Sequence, residues 1–321
     1  MVITRTPIRV SFVGGGTDLP EYYLNSKSSG KVMSATIDKY IYVALNKKFA
    51  DNIRVSYSKT ENVNNIDDLQ HDIIRETMKL YGLTSGWEVV TVADIPGAGS
   101  GLGSSSALTV GLLKAISYLT LDYMDRYHIA EKAYYIEREL CGHNCGKQDQ
   151  YAASFGGMNV FEFHGDETVE RFPMVNQKTI FAIEDGLILF YLGPRNNKTI
   201  LKRQAENTTK KMKMLDSMAS LVQELYDEID IYPCELGQYL DINWEYKRQL
   251  ADGISNSEIQ NIYQKALEAG ANGGKVLGQG GGGFMLFHAK PEFHQAVKKA
   301  VGLKSVPFRF SHCGTEVIYG F

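Results

Sequence analysis

The chain has 321 residues, enough for two domains or one large one, and each half is long enough to bury an ordinary core. Apolar residues make up 44% and charged residues 22%, which excludes a disordered or collagen-like chain. The net charge of −3 lacks the basic excess of a nucleic-acid binder, and no apolar stretch reaches the length of a membrane span.

The first thirteen residues are short, polar and interrupted by Arg5 and Arg9, unlike a signal peptide, so a cytoplasmic protein is expected. The four cysteines, Cys141, Cys145, Cys234 and Cys313, are then expected as reduced thiols. Cys141, His143 and Cys145 match no common zinc spacing, and no second ligand pair follows.

In chain order, residues 7–13 alternate as a strand does and end in glycines 14–16. Residues 32–46 are β-rich, and 53–58 form a further short strand. Ile66, Leu69, Ile73, Ile74, Met78 and Tyr81 keep helical spacing, which predicts a helix over 65–81 stopped by Gly82. A strand over 87–92 precedes two apolar helices, 107–119 and 128–140. Strands follow at 158–163 and 187–192. Helices are predicted over 199–229, 235–251 and 257–269, then strands at 284–288 and 317–319. Strands and helices mix without a βαβ period, which favours α+β. The domain junction is placed at 178/179, giving domains 1–178 and 179–321.

Glycine is the one unusual residue: many of the 31 fall in three clusters, at 14–16, 97–103 and 273–283. Clustered glycine marks backbone that bends sharply or approaches a ligand closely. The middle cluster, Pro96-Gly-Ala-Gly-Ser-Gly-Leu-Gly-Ser-Ser-Ser-Ala107, follows a strand and opens a helix. Such a loop can wrap its N–H groups around a phosphate at a helix N-terminus, with Ser104, Ser105 and Ser106 supplying hydroxyls. No Gly-Lys-Ser/Thr closes it, so it is not a Walker A loop. Gly278, Gly280 and Gly283 satisfy Gly-x-Gly-x-x-Gly, but a strand and not a helix follows, which argues against a dinucleotide site.

Three charged residues stand out. Glu137 lies at the edge of an apolar helical stripe with no basic partner one turn away, so it is either a surface glutamate or a carboxylate that needs a cation. Asp149 lies in a polar turn and could cap a short helix or pair with Lys147. Arg9, in an apolar strand, needs an acid, for which Asp18 is a candidate.

Pro7-x-Arg-Val-Ser-Phe-x-Gly-Gly-Gly-Thr-Asp18, the 97–107 loop and Gly278-x-Gly-Gly-Gly-Gly283 occur in that order. Together they resemble the three motifs of the GHMP small-molecule kinases over nearly the whole chain. The resemblance implies an α+β fold of two domains, a ribosomal S5 domain 2-like domain followed by a ferredoxin-like one. Gly-Gly-Gly-Thr-Asp is shared by two sugar-kinase branches, one acting on L-fucose and one on D-glycero-D-manno-heptose 7-phosphate. The segment Gly146-Lys-Gln-Asp-Gln-Tyr-Ala-Ala-Ser-Phe-Gly-Gly157 is similar to the heptose branch. Fucokinases tend to carry tryptophan where Lys147 stands.

The resemblance implies transfer of a phosphoryl group from ATP, with Mg²⁺, to the anomeric hydroxyl of that heptose phosphate, in the making of nucleotide-activated heptose. Asp149 would be the catalytic carboxylate and Arg9 the basic residue beside it. Gly97, Gly99, Gly101, Leu102, Gly103, Ser104, Ser105 and Ser106 would cradle ATP. Ser105 and Glu137 would hold Mg²⁺. Asp18, Gly16, Thr17, Lys147, Arg195, Gly281 and Gly282 would meet the substrate, Lys147 and Arg195 at its phosphate, with Lys198 and Lys202 as further candidates. A free-sugar 1-kinase and a non-catalytic sensor on the same fold are the competing readings. Neither nucleic acid nor membrane is expected as a partner, and a homodimer is left open.

Overall fold

The computed structural model describes residues 1–96, 99–194 and 199–320. Strand β1 (Val2–Val13) pairs antiparallel along its length with β2 (Gly30–Lys47), and the short helix α1 (Pro20–Tyr23) lies between them. The hairpin β3 (Ile53–Ser56) and β4 (Thr60–Val63) leads to α2 (Asp72–Leu80) and β5 (Trp87–Ala93). Then come α3 (Ser104–Thr120), α4 (Arg126–Tyr135), a π-helical turn Ile136–Leu140 and α5 (Gln148–Phe155). Strands β6 (Met158–Phe163) and β7 (Val169–Pro173) complete the first half.

The second half runs α6 (Gln177–Gly186), β8 (Leu187–Gly193), α7 (Ile200–Asn207), α8 (Met212–Glu228), α9 (Leu236–Lys247) and α10 (Ser257–Glu268). It continues with β9 (Ala271–Val276), β10 (Gly283–Ala289), α11 (His294–Val301) and β11 (Glu316–Tyr319).

Among the described residues there are two sheets. The larger has the order β11-β1-β2-β5-β3-β4, with β6 and β7 joined to the first half of β2. Eighteen residues long, β2 serves two neighbours on one edge: Gly30 to Ala35 pair with β6, and Ile41 to Lys47 pair with β5. The smaller sheet, β8-β10-β9, is antiparallel. Helix α3 is buried almost all round, which explains its uniformly apolar sequence: it lies on β1 and β2 and is flanked by α4 and α5. Helices α8 and α9 of the second half lie on β1 or β2, so the two halves close over the turn at residues 14–16. There the Gly14 N–H donates to Asn243 Oδ1 on α9 at 2.9 Å.

The expected α+β architecture is present, and several elements differ in detail. The predicted 65–81 helix breaks at Leu69, whose extended backbone separates a 3₁₀ turn, Ile66–Asp68, from α2. Asn65 Oδ1 accepts the Asp67 N–H and caps that turn, so local side-chain bonding competes with helix propagation. The predicted 199–229 helix is two helices, α7 and α8, separated by a 3₁₀ turn, Thr208–Lys211. Strand β9 has no sequence signal, being Ala-Asn-Gly-Gly-Lys-Val. Its Gly274 lies under Phe287 of β10, where a Cβ would stand 2.4 Å from the ring. The expected junction at 178/179 falls in the first turn of α6, and β11 crosses back to pair with β1.

Candidate active site

A cleft of about 440 Å³ runs between the halves, lined by β1, the glycine loop after β5, the 137–149 segment, α7, α9 and the loop after β9. Arg9 sits on its floor, 3% exposed. Its guanidinium meets Asp149 Oδ1 through Nε at 2.8 Å and Nη2 at 2.5 Å, while Nη1 donates to the Gly101 carbonyl at 2.6 Å. The Arg9 N–H donates to the Leu102 carbonyl at 3.0 Å. One residue thus ties β1, the glycine loop and the first turn of α5 together. The acid that partners Arg9 is Asp149 and not Asp18.

Asp18 is buried close by and accepts the Gly16 N–H at 3.0 Å and the Gln148 N–H at 3.3 Å. Burial, and then the charge of Asp149, push its carboxyl above the ordinary range. Two carboxyls thus share one face of the cleft.

The glycine loop approaches this pair closely. Gly103 has φ +74°, and a Cβ there would stand 3.3 Å from Asp149 Oδ2, so glycine is needed for both conformation and space. Gly99, Gly101, Gly103, Ser104, Ser105 and Ser106 all line the cleft, where α3 begins. Leu102 is buried below it. Gly97 lies outside the described residues.

Glu137 is buried, its Oε2 accepting from Ser106 Oγ at 3.0 Å and its Oε1 from Gln150 Nε2 at 3.1 Å. Burial pushes its carboxyl up to about 7, against the opposing effect of the Gln150 and Ser106 hydrogen bonds and with the charge of Asp149 adding to the rise. The residue sits in the π-helical turn, where the Cys141 N–H reaches the Ile136 carbonyl at 2.9 Å. A regular helix over 128–140, as the sequence predicts, lacks this widened turn. π-Turns inside helices often mark functional positions.

The hydroxyl beside Glu137 belongs to Ser106, whereas Ser105, expected as its metal-binding partner, is exposed at the cleft. One helix residue turns a side chain by about 100°, and three consecutive serines do not announce which one faces inward. One buried carboxylate and one hydroxyl under the glycine loop fit Mg²⁺, which takes one or two carboxylates and completes its shell with water and phosphate oxygens. Among the described residues no group of three or more His, Cys, Asp or Glu side chains could hold a metal ion.

Several expected substrate residues do not line the cleft. Lys147 is 1% exposed, and its ammonium turns to the far side of α5. There it donates to Glu131 Oε1 and Oε2 at 2.9 and 3.1 Å and to the Glu167 carbonyl at 3.0 Å, with the Tyr134 ring 5.2 Å away. It is a structural cation and not a phosphate ligand. Thr17 spends its hydroxyl on the Gly14 and Lys31 carbonyls, bracing the turn. Gly281 packs against Ile200, and of the third cluster Gly278 and Gln279 reach the cleft while Gly281 and Gly282 do not. Gly283 lets β10 approach the glycine loop, since a Cβ there would stand 2.4 Å from the Ser100 carbonyl. Gly16 does line the cleft. Arg195 and Lys198 lie outside the described residues.

Sequence reasoning missed Ser11, Gln148, Gln204 and Lys247, all of which line the cleft. His143 also lines the cleft, and its Nε2 lies 2.8 Å from Asp72 Oδ2. His143 is the main cause that holds the Asp72 carboxyl down to about 2.

Residues 69–157 match the GHMP kinases N terminal domain, and residues 234–302 match GHMP kinases C terminal. The D-glycero-alpha-D-manno-heptose 7-phosphate kinase of Campylobacter jejuni is 32% identical over 306 residues, covering 90% of this chain and 89% of that protein. The chain belongs to the GHMP kinases. Another relative, the L-fucokinase/L-fucose-1-P guanylyltransferase of Bacteroides fragilis, is 26% identical over 89% of this chain and 34% of its own length. The crystal structure of a D-glycero-D-manno-heptose 1-phosphate kinase from Bacteroides thetaiotaomicron superposes with a TM-score of 0.81 at 25% identity, covering all of both chains. This GHMP kinase is therefore an ATP-dependent enzyme of two-domain α+β fold, in which the Arg9–Asp149 pair lies beneath the family's glycine loop. No helix among the described residues is long and apolar enough to cross a membrane.

Proposed function

We propose that this GHMP kinase transfers the γ-phosphoryl group of ATP to the anomeric hydroxyl of D-glycero-D-manno-heptose 7-phosphate in the cytoplasm, giving the 1,7-bisphosphate for nucleotide-activated heptose. The observation that carries the reaction is the Arg9–Asp149 pair on the cleft floor, within contact distance of Gly103. The full-length likeness to a heptose 7-phosphate kinase supports the substrate.

In this reading the anomeric oxygen attacks the γ-phosphorus, the bond to the β–γ bridging oxygen breaks, and ADP leaves. Asp149 takes the hydroxyl proton, and Arg9 fixes the carboxylate that takes it. The loop N–H groups and the N-terminus of α3 bind the phosphate oxygens on which charge spreads in the transition state, so most of the catalysis is positioning and electrostatics. Ser106 and Glu137 would hold Mg²⁺, which when bound would neutralise charge on the nucleotide phosphates. Asp18 binds sugar hydroxyls.

A free-sugar 1-kinase is the second reading, favoured by the turning of Lys147 away from the cleft. The test is ADP release and phosphorus NMR with Mg·ATP and a panel of D-glycero-D-manno-heptose 7-phosphate, mannose 6-phosphate, L-fucose and galactose. A new anomeric phosphate on the heptose 7-phosphate alone is expected. Transfer to free fucose or galactose instead overturns the substrate and leaves the mechanism.

A further inference from the structure

Resting on the phosphosugar reading, we propose that Ser11 and Gln148 are specificity-determining residues that bind the hydroxyl on the sugar carbon next to the reacting one. Neither belongs to the Arg9–Asp149 pair, and each lies beside it. Ser11 stands two residues from Arg9 on β1, so the pleat turns both side chains to the same face, and both line the cleft. Gln148 directly precedes Asp149 in the first turn of α5. Its N–H donates to Asp18 Oδ2 at 3.3 Å, which ties it to the second carboxyl of the cleft.

The two side chains come together over Gly15. A Cβ built there would lie 3.4 Å from Ser11 Oγ and 3.8 Å from Gln148 Nε2, so one small group standing on this backbone touches both. Lys247 Nζ, 3.5 Å from the same point, closes a third side. Gly15, unlike its neighbours Gly14 and Gly16, does not have a left-handed backbone, so its conformation is open to any residue. What glycine supplies at this position is room.

The polar atoms around that room suit a hydroxyl. Ser11 is 4% exposed, and among the described residues its Oγ has no hydrogen-bond partner; the buried Gln148 Oε1 has none either. Buried polar atoms are normally paired, so unpartnered ones at a cleft point to a ligand. An amide oxygen can only accept, whereas a serine hydroxyl donates or accepts. A sugar hydroxyl satisfies both at once: its proton goes to Gln148 Oε1, and its oxygen takes the Ser11 proton. An anion would leave the amide oxygen unpaired and would face the Asp149 and Asp18 carboxyls in the same cleft. The reacting hydroxyl has to reach Asp149 in this reading, which carries its neighbour on the ring toward the residues that flank Asp149. Asp18, whose two oxygens already accept the Gly16 and Gln148 N–H groups, is left for hydroxyls farther round the ring.

The test is steady-state ADP release with D-glycero-D-manno-heptose 7-phosphate and its 2-deoxy and 4-deoxy analogues on wild type, Ser11→Ala, Gln148→Met and Gly15→Ala, with thermal midpoints alongside. Wild type is expected to lose about ten- to hundredfold in kcat/KM on the 2-deoxy sugar relative to the parent, since the missing hydroxyl strands two buried polar atoms. Ser11→Ala and Gln148→Met should shrink that ratio to about fivefold or less and leave the 4-deoxy ratio as in wild type, whereas a merely structural role moves both ratios or neither. The intrinsic effect of the missing hydroxyl on reactivity cancels in the comparison between variants. Ser11→Ala removes no hydrogen bond from the free protein and should keep its thermal midpoint. Gly15→Ala fills the room with ordinary contacts only and should shrink the 2-deoxy ratio likewise; it and Ser11→Ala carry the test if Gln148→Met does not fold. A wild-type 2-deoxy ratio retained in both Ser11→Ala and Gly15→Ala overturns the assignment, as does equal kcat/KM of the wild type on the 2-deoxy and parent sugars. Absence of turnover on the parent heptose phosphate overturns the phosphosugar reading, and the assignment with it.

Discussion

Lys147→Met separates structural from substrate roles for a lysine that sits two residues from Asp149. Methionine keeps most of the apolar stem, so the loss is that of the ammonium. Lys147 Nζ makes two hydrogen bonds to Glu131 and one to the Glu167 carbonyl. Removing one partner of a buried ion pair costs about 3–5 kcal/mol when the other charge is stranded. Here the Glu131 side chain is 42% exposed and also accepts from the Tyr151 hydroxyl, so water and tyrosine satisfy much of it. Discounted for that exposure, the expected destabilisation is about 2 kcal/mol. With roughly 2 cal/mol/K per residue of unfolding entropy, that lowers the thermal midpoint by about 3 °C. Calorimetric melting and steady-state kinetics on the same preparation read both effects, and KM for the phosphosugar should stay within about twofold, since the ammonium faces away from the cleft. A KM raised tenfold with an unchanged midpoint would refute the structural role and return Lys147 to the substrate.

Asp149→Asn should lower kcat by about 10²- to 10⁴-fold with KM for ATP little changed, measured by ADP release; near-wild-type turnover removes Asp149 as proton acceptor. Ser106→Ala should weaken the Mg²⁺ dependence of kcat more than Ser105→Ala does, and the reverse order in a Mg²⁺ titration returns the cation to Ser105. The His288 imidazole is pushed down to about 4 by burial, against 6.5 unperturbed. Above pH 6.5 neither state binds the proton. Between pH 6.5 and about 4 only the unfolded chain gains it, so stability falls across that window by up to about 3 kcal/mol. Denaturant melts at stepped pH should show this loss, and His288→Gln should flatten it; an unchanged slope in the variant assigns the loss to other groups.

Among the elements legible in the sequence are β1, β2, β5, α3 and β10, whose alternation or continuous apolar run is visible locally, and they appear close to where the pattern places them. Those that were not legible are stabilised by partners far along the chain. Strand β9 carries two glycines because Phe287 and the second-half helix α9 occupy the space of side chains. Its assignment needs β10 in place first. In the site, Arg9, Asp149, Glu137 and the glycine loop could be named because their residue types are unusual for their local setting. The identity of Arg9's acid, the inward serine and the direction of Lys147 depend on helix phase and on which half closes over which, and no local pattern encodes these. Lys247 resembles any lysine in the last turn of a helix until α9 docks over Gly15.

The return of β11 to β1 has a consequence for biosynthesis. Arg5 pairs with Glu316, 311 positions later, and Thr6 Oγ1 lies 2.8 Å from Thr315 Oγ1. At about 5–20 residues per second, one edge of β1 waits roughly 15 to 60 s for its neighbour after leaving the ribosome. During that interval the strand that carries Arg9 and leads into the glycine turn has an open hydrogen-bonding edge, available to other nascent chains. The interval ends only when β11 has been made, so the strand that finishes the sheet is also the one that ends the period of greatest aggregation risk.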